Sequence, residues 1–212
     1  MGAIHRGLFI TFEGGEGAGK TTLIRKIREA LEGEGFSCLV TREPGGTLLG
    51  EQIRNLLLHQ ADMSPWTELL LFLAARTQHL HEVILPAVQE GKIVLCDRFN
   101  DSSIAYQGVG RELGRQKVTD LCSEVTEGIQ PDLTFFLDLT PQEGFARAHK
   151  DQRTLDRLES LKIDFHEKVR QGFLAIAKDD PTRVVVVPAA KSETEVFQSA
   201  LQALRVKLGK NV

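Results

Sequence analysis

Cysteine, tryptophan and tyrosine are scarce in this sequence, and long apolar runs are missing. The 212 residues include three cysteines, one tryptophan and one tyrosine. The number of cysteines is odd, and their spacing, at Cys38, Cys96 and Cys122, is not that of metal ligands. The sequence therefore predicts no disulfide framework and no metal site built on cysteine. No apolar stretch approaches the roughly 20 residues that cross a bilayer, and Met1–Arg6 has no signal-peptide core. We therefore expect a cytoplasmic protein that has no membrane partner.

An excess of positive charge is also lacking. The chain has 26 Lys and Arg against 29 Asp and Glu, which gives a formal net charge of −3. We therefore expect no nucleic-acid partner, since any attraction for a polyanion must be local rather than global. The length and the 42% hydrophobic content are typical of one globular domain, which we expect to span residues 1–212.

A phosphate-binding loop is the clearest positive feature. Residues 14–21 fit the pattern G-x-x-x-x-G-K-[ST], an apolar run precedes them and a helical pattern follows. In a strand–loop–helix unit, successive backbone N–H groups converge on a phosphate at the helix N-terminus. Lys20 would reach the β/γ-phosphates, and the Thr21 hydroxyl would be placed for Mg²⁺. The predicted phosphate-binding residues are Gly14, Gly15, Glu16, Gly17, Ala18, Gly19, Lys20, Thr21 and Thr22.

Five short apolar runs alternate with helical patterns along the chain. The runs are Leu8–Phe12, Ser37–Thr41, Ile93–Cys96, Leu133–Leu137 and Val184–Val187. Because they are continuously apolar, they are typical of parallel strands that are covered on both faces. The sequence predicts a doubly wound α/β domain, with a five-stranded parallel sheet, helices on both faces and ligands at the carboxyl ends of the strands.

The helical patterns are less uniform than the strands. Apolar residues recur at helical spacing around 53–57, 66–89, 118–125, 158–173 and 196–208. Pro86 should kink or interrupt the last turns of the long helix at 66–89. The polar stretch Ala148–Asp156 is the best candidate for a mobile segment.

Two clusters follow predicted strands. Glu43 and Pro44 lie in a Thr-Arg-Glu-Pro-Gly-Gly-Thr segment at 41–47, which is either part of a site or a plain turn. The two glycines imply an unusual loop path, and we predict a cis bond between Glu43 and Pro44. Asp97 could help to hold Mg²⁺ and Arg98 could bind a phosphate, unless the two form a structural ion pair.

Two further clusters could bind a nucleotide base and sugar. Phe72 and Arg76 are one helical turn apart, so a ring could stack on a base whose edge the guanidinium binds. Alternatively, Phe72 is a core residue. The segment 101–108 holds a serine pair, the only tyrosine and a glutamine, all of which can bind sugar and base edges. Alone, that segment is typical of a polar loop.

Together these segments resemble bacterial thymidylate kinase, a P-loop nucleoside monophosphate kinase family. The matching residues are 12–22, 41–47, 50–54, Phe72 with Arg76, 97–99, 105–108 and 155–157. The resemblance implies transfer of the γ-phosphoryl of ATP to dTMP with Mg²⁺, in dTTP biosynthesis. It also implies a homodimer.

The resemblance also implies residue roles. ATP would bind the phosphate loop at 14–22, and Thr21 and Asp97 would hold the metal. The catalytic residues would be Lys20, Glu16, Asp97 and Arg153. The dTMP-binding residues would be Glu16, Glu43, Pro44, Arg54, Phe72, Arg76, Arg98, Ser103, Tyr106 and Gln107. Within that set Glu16 would face the 3′-hydroxyl, Arg54 and Arg98 would hold the phosphate, Phe72 would stack on thymine, and Tyr106 would crowd the 2′ position.

The bacterial type takes its catalytic arginine from a lid, expected here at about 147–158. Arg153 fits best, and Arg157 and Arg147 remain alternatives. The other type carries an arginine in the phosphate loop, where this chain has Gly17. Phe99 is one departure, since many relatives have tyrosine there.

Three other classes of protein fit the sequence less well. A kinase for deoxynucleosides would differ in its preferred acceptor, and two arginines aimed at an acceptor phosphate favour a monophosphate. A GTPase-type switch would need Asn-Lys-x-Asp and Asp-x-x-Gly motifs, and the sequence has neither. A nucleic-acid-stimulated ATPase is not supported by the net charge of −3.

Overall fold

A five-stranded, all-parallel sheet organises the chain in the order β2-β3-β1-β4-β5. A computed structural model describes residues 7–59, 63–150, 157–158 and 160–209, with the backbone alone at 149 and 150. The strands are β1 (Leu8–Gly14), β2 (Cys38–Arg42), β3 (Ile93–Asp97), β4 (Leu133–Asp138) and β5 (Val184–Pro188). The central strand β1 ends in the phosphate loop, so the loop lies at the switch point where α/β sheets bind ligands.

Burial on both faces explains the continuous apolar runs of the central strands. In β1, Ile10 and Phe12 are fully buried, and β3 and β4 pair with it in parallel register. The edge strands β2 and β5 instead each expose a valine to solvent, Val40 and Val186. All five strands lie where the sequence predicts them, and the predicted α/β architecture is confirmed.

Nine α-helices and two π-helical segments occur in the described parts of the chain. The helices are α1 (Lys20–Gly33), α2 (Leu48–His59), α3 (Pro65–His79), α4 (Leu85–Gln89), α5 (Asn100–Ser103), α6 (Arg115–Val125), α7 (Pro141–Lys150), α8 (Ile163–Asp179) and α9 (Glu193–Lys207). The π-helical segments are Leu80–Ile84 and Ile104–Gly110. No helix in the described ranges is both long and apolar enough to cross a membrane.

The interruption expected near Pro86 is present. The helix predicted at 66–89 consists of α3, the π-helical segment Leu80–Ile84 and then α4. Pro86 has no N–H to donate to the carbonyl of Glu82, and its ring would collide with that carbonyl in a regular α-helix. A π turn widens the helix at this point. Ser64 caps the start of α3 by accepting a hydrogen bond from the backbone of Thr67.

One local prediction was wrong. The pattern at 158–173 begins as a helix only at Ile163, because Lys162 is extended and acts as the N-cap residue. The segment 101–108, which taken alone is typical of a polar loop, is helical and its polar side chains are buried against partners. Helix α7 was not predicted, since few apolar residues mark it.

The cis bond predicted between Glu43 and Pro44 is present.

Candidate active site

A cleft of about 550 Å³ opens at the carboxyl ends of the central strands. This volume lies within the usual range for small-molecule sites. Of the predicted site residues, the cleft is lined by Glu16, Gly17, Ala18, Gly19, Lys20, Thr21, Thr22, Glu43, Pro44, Arg54, Phe72, Arg76, Asp97, Arg98, Ser103, Tyr106 and Gln107. Gly15 instead lines a small neighbouring cavity, and Gly14 is buried at the end of β1. Arg153 lies outside the described residues.

Lys20 is held inside the phosphate loop by backbone carbonyls. Its Nζ donates to the carbonyl oxygens of Gly14 at 3.2 Å and Gly15 at 3.0 Å. Burial lowers the pKa of Lys20, and the nearby Arg98 guanidinium lowers it further, whereas Asp97 and Glu16 act in the opposite direction. The ammonium is thus buried among weak partners, and an anionic phosphate would be a stronger one.

The phosphate loop touches helix α7 backbone to backbone. Gly17 has a φ of 64°, and a Cβ placed there would fall on the carbonyl oxygen of Gly144. A Cβ on Gly144 would likewise fall on the carbonyl oxygen of Glu16. A side chain at position 17, arginine included, therefore cannot be accommodated with α7 in this position. Any arginine that reaches the transferring phosphoryl must come from another part of the chain.

Two arginines predicted to hold an acceptor phosphate lie in the cleft. Arg98 adopts a left-handed backbone with φ of 72°, and its N–H donates to the carbonyl of Phe12 at 3.0 Å. Its guanidinium carbon lies 5.1 Å from the centroid of the Tyr106 ring. Arg54 donates from Nη1 to the carbonyl of Pro44 at 2.9 Å. Both cations thus line the cleft.

Arg76 is a buried, fully oriented donor. It is 1% exposed and donates from Nε to Glu43 Oε2 at 2.7 Å, from Nη1 to Ser103 Oγ at 2.9 Å and from Nη2 to the Phe99 carbonyl at 3.0 Å. The other carboxylate oxygen of Glu43 pairs with Nδ1 of His79 at 3.0 Å. Glu43 therefore positions Arg76, with both of its oxygens already engaged.

Phe72 is not a core residue. It is only partly buried, packs beside Ile53 and Leu57, and presents surface to the cleft one turn away from Arg76. A partly exposed ring can stack on a planar base, and the oriented guanidinium beside it can bind the edge of that base.

Asp97 fits a metal-binding role at the end of β3. Its Oδ1 is buried and has no hydrogen-bond partner among the described residues, which is unusual for a carboxylate. Thr21 lies in the same cleft at the start of α1. Mg²⁺ usually takes one or two protein oxygens and completes its shell with water and phosphate oxygens, so this donor set suits it.

Comparisons with known proteins agree with this geometry. The sequence profile of the family described as thymidylate kinase matches residues 12–200. A thymidylate kinase of Protochlamydia amoebophila is 50% identical over 208 residues, covering 94% of this chain and 92% of its own. One from Bacillus pumilus is 45% identical over 208 residues, with 97% and 98% covered. The chain belongs to the thymidylate kinase family.

A solved structure of this family has the same fold. The crystal structure of thymidylate kinase from Ehrlichia chaffeensis superposes with a TM-score of 0.76 at 37% identity. The match covers 93% of this chain and 98% of that one.

The two alternative lid arginines, Arg157 and Arg147, form hydrogen bonds with other groups of the protein. Arg157 donates to the carbonyl of Leu57 at 3.0 Å and to Glu68 at 2.6 Å. Arg147, on α7, donates to the carbonyls of Gly17 at 3.5 Å and Ala189 at 3.0 Å, and it lines the cleft. Arg157 is thus turned into the protein, whereas Arg147 lies beside the phosphate loop.

Several cleft residues were not predicted from the sequence. They are Leu23, Lys26, Leu58, Ser102, Leu158, His166, Ala189, Lys191, Glu193 and Val196. The last four follow β5, and the rule that ligands bind at carboxyl ends of strands could have found that segment. Glu13 was also missed, although a carboxylate inside an apolar strand just before the glycine loop is a visible signal.

Glu13 clamps the turn that carries Arg98. The Glu13 side chain is fully buried and accepts hydrogen bonds from the backbone of Phe99 at 2.8 Å and from Ser102 Oγ at 2.5 Å. Burial, and secondarily the Asp101 carboxylate, raise the pKa of Glu13 to about 8, against the hydrogen bond from Ser102 and the charge of Arg98. The fold therefore favours the protonated acid at neutral pH.

This pKa predicts a pH-dependent stability difference between the wild type and Glu13→Gln. Between about pH 4.5 and pH 8 the unfolded chain releases the Glu13 proton while the folded chain keeps it. The wild type therefore loses stability as pH rises through this interval, and the neutral amide does not. We expect the melting temperature of Glu13→Gln to rise relative to that of the wild type as the pH increases from 5 to 8. If the difference between the two melting temperatures stays constant over this range, the pKa of Glu13 in the folded protein is not raised.

Proposed function

We propose that this chain is an ATP:dTMP phosphotransferase, which converts dTMP to dTDP in dTTP synthesis. The observation that carries the proposal is that one cleft is lined by Lys20, by Arg54 and Arg98, and by Phe72 and Arg76. We assign Lys20 to the phosphates of the donor, and Arg54 with Arg98 to the phosphate of the acceptor. We assign Phe72 and the buried guanidinium of Arg76 to the acceptor base. Membership of the thymidylate kinase family supports the same conclusion.

The reaction needs positioning and charge neutralisation rather than a covalent nucleophile. The backbone of the phosphate loop and Lys20 bind the β/γ-phosphates of ATP. Arg54 and Arg98 hold the dTMP phosphate, whose oxygen attacks the γ-phosphorus. Since that oxygen is already ionised, no strong general base is required. Glu16 binds the 3′-hydroxyl and so fixes the sugar, and Tyr106 leaves no room for a 2′-hydroxyl.

Magnesium would be held by Asp97 and the Thr21 hydroxyl, and when bound it neutralises charge on the phosphates. The transition state also needs a guanidinium, which position 17 cannot supply because of Gly144. Arg153 in the lid is our candidate for this role.

We also place the enzyme in the cytosol, a reducing compartment in which free thiols such as Cys38, Cys96 and Cys122 persist.

An acceptor panel tests the proposal directly. ADP formation would be measured with ATP and, separately, dTMP, dUMP, thymidine and CMP. We expect dTMP to have the highest kcat/KM and thymidine to be inert, because it lacks the phosphate that Arg54 and Arg98 would hold. A preference for thymidine would instead identify a deoxynucleoside kinase.

Phe72→Ala should weaken dTMP binding selectively. Stacking of a base on an aromatic ring is worth about 1–3 kcal/mol, or roughly ten- to a hundredfold in affinity. We therefore expect KM for dTMP to rise by this factor while KM for ATP changes little. A large fall in melting temperature with unchanged dTMP affinity would show that Phe72 serves the hydrophobic core and not the base site.

We further propose that the enzyme is a homodimer through α2 and α3. Leu49 and Leu56 on α2, and Trp66 and Leu70 on α3, are 39–57% exposed. Each pair lies on one face of its helix, and the two helices pack against each other. Exposed apolar residues grouped in this way are typical of an interface.

Leu70→Glu should halve the molar mass in solution. The charge would enter the apolar interface without a partner, which is strongly unfavourable. Light scattering during size-exclusion chromatography would give the mass, and Val206→Glu on the exposed face of α9 is the matched control. A wild type with the mass of one chain would contradict the dimer.

A further inference from the structure

Glu68 forms a buried hub beside the base site. It lies on α3 one turn before Phe72 and its side chain is fully buried. Its carboxylate accepts hydrogen bonds from three residues. The donors are Gln107 Nε2 at 2.9 Å, Arg111 Nε and Nη2 at 3.2 and 2.9 Å, and Arg157 Nη2 at 2.6 Å. None of the predicted roles involves this residue.

The charge state of Glu68 decides what it can do to Gln107. Burial by itself raises the pKa of Glu68, but the hydrogen bonds from Arg111, Gln107 and Arg157 outweigh it and hold that pKa below its ordinary value. An ionised carboxylate is an acceptor only. Only the NH₂ end of the Gln107 amide can therefore face it, and the amide orientation is dictated by chemistry.

The opposite end of the amide is then available to the cleft. Gln107 lines the cleft, and its Oε1 accepts no hydrogen bond from the described residues. Arg76, on another wall of the same site, is a donor only. The base site thus combines one fixed acceptor and one fixed donor.

We propose that Glu68 is a positioning residue that sets base selectivity by holding the Gln107 amide with its carbonyl oxygen toward the acceptor base. This inference rests on the proposed function. Thymine and uracil present an N3–H donor next to the O4 acceptor, which complements Gln107 Oε1 and Arg76. Cytosine presents N3 as an acceptor and N4 as a donor, which is the reverse pattern. Glu68 thereby excludes dCMP without touching it.

Substitutions at Glu68 should relax this selectivity. In Glu68→Gln a neutral amide can pair with either end of Gln107, and in Glu68→Met nothing fixes the orientation. Gln107 can then turn its NH₂ group to the cytosine N3. We expect the ratio of kcat/KM for dTMP to that for dCMP to fall by about tenfold, since the mismatch at N3 no longer opposes dCMP, although the mismatch between Arg76 and N4 remains.

Two controls distinguish a change in the orientation of Gln107 from a general loss of order in the base site. Arg111→Lys changes a donor to the same carboxylate but keeps its positive charge and the hydrogen bond that Gln107 donates to Glu68, so its dTMP/dCMP ratio should stay near that of the wild type. The dTMP/dUMP ratio should stay constant in every variant, because both bases have the same N3–H and O4. Each ratio is measured on one preparation, so the fraction of folded enzyme cancels.

The outcomes are distinct. An unchanged dTMP/dCMP ratio in the Glu68 variants, an equal fall in Arg111→Lys, or a parallel fall in the dTMP/dUMP ratio would overturn the role of Glu68. A wild type that does not phosphorylate dTMP would instead overturn the proposed function. In that case equilibrium binding of dTMP and dCMP to the same variants still tests Glu68.

Discussion

We expect Lys20→Ala to lower turnover with ATP and dTMP by about a hundredfold or more and to leave the enzyme folded. The ammonium is already buried in the loop, with Gly14 and Gly15 carbonyls about 3 Å away. It therefore needs little rearrangement to meet the β/γ-phosphates. Removing a positioned charge that stabilises a transition state typically costs about 10²–10³ in rate. Only two backbone carbonyls lose a partner, and the cost to stability should be small.

The matched control is Lys26→Ala. Lys26 lies on the same helix and also lines the cleft, but its Nζ pairs with Glu193 at 3.0 Å on the exposed side. An exposed pair contributes little, so this variant should keep nearly normal turnover. Steady-state rates, ATP binding and circular dichroism would be compared for the two variants. Near-normal turnover in Lys20→Ala would contradict the assignment of Lys20 to the β/γ-phosphates.

The sequence predicted the sheet and the outline of the cleft because both depend on local patterns. A strand–loop–helix unit fixes the phosphate site by itself. Glu43 directly follows β2 and Asp97 is the last residue of β3, and parallel strands bring their carboxyl ends to one edge. The one-turn spacing of Phe72 and Arg76 likewise needs no tertiary information.

The parts that were missed depend on contacts between distant segments. Glu68 meets Gln107 and Arg157, which lie 39 and 89 positions further along the chain. Glu13 meets Ser102 across 89 positions. Nothing local marks Glu68 as buried, and the apolar strand around Glu13 does not show which residues that carboxylate meets. Helical pattern alone cannot show that polar Asn100–Ser103 packs inside. Tertiary pairing of polar groups overrides the local preference of polar residues for loops.

Arg153→Ala should lower turnover by on the order of 10³-fold, with little change in the binding of ATP or dTMP. An arginine that reaches the transferring phosphoryl only in the transition state has an effect of this size in other phosphoryl-transfer enzymes. Gly17 cannot carry that arginine, because a side chain there would fall on the Gly144 carbonyl. Arg153→Lys should restore part of the rate, since lysine keeps the charge but lacks the planar fork.

Single-turnover kinetics at saturating ATP and dTMP distinguish Arg153 from its neighbours. Arg157→Ala should keep most of the wild-type rate, because its guanidinium is bound to Glu68 and the Leu57 carbonyl. Arg147→Ala should affect ATP binding more than the rate, since Arg147 contacts Gly17 and Ala189 at the cleft wall. If Arg147→Ala loses the rate and Arg153→Ala does not, the catalytic arginine is on α7. If all three variants keep the rate, charge on the transferring phosphoryl is neutralised by Lys20 and the metal, and the lid has no catalytic part.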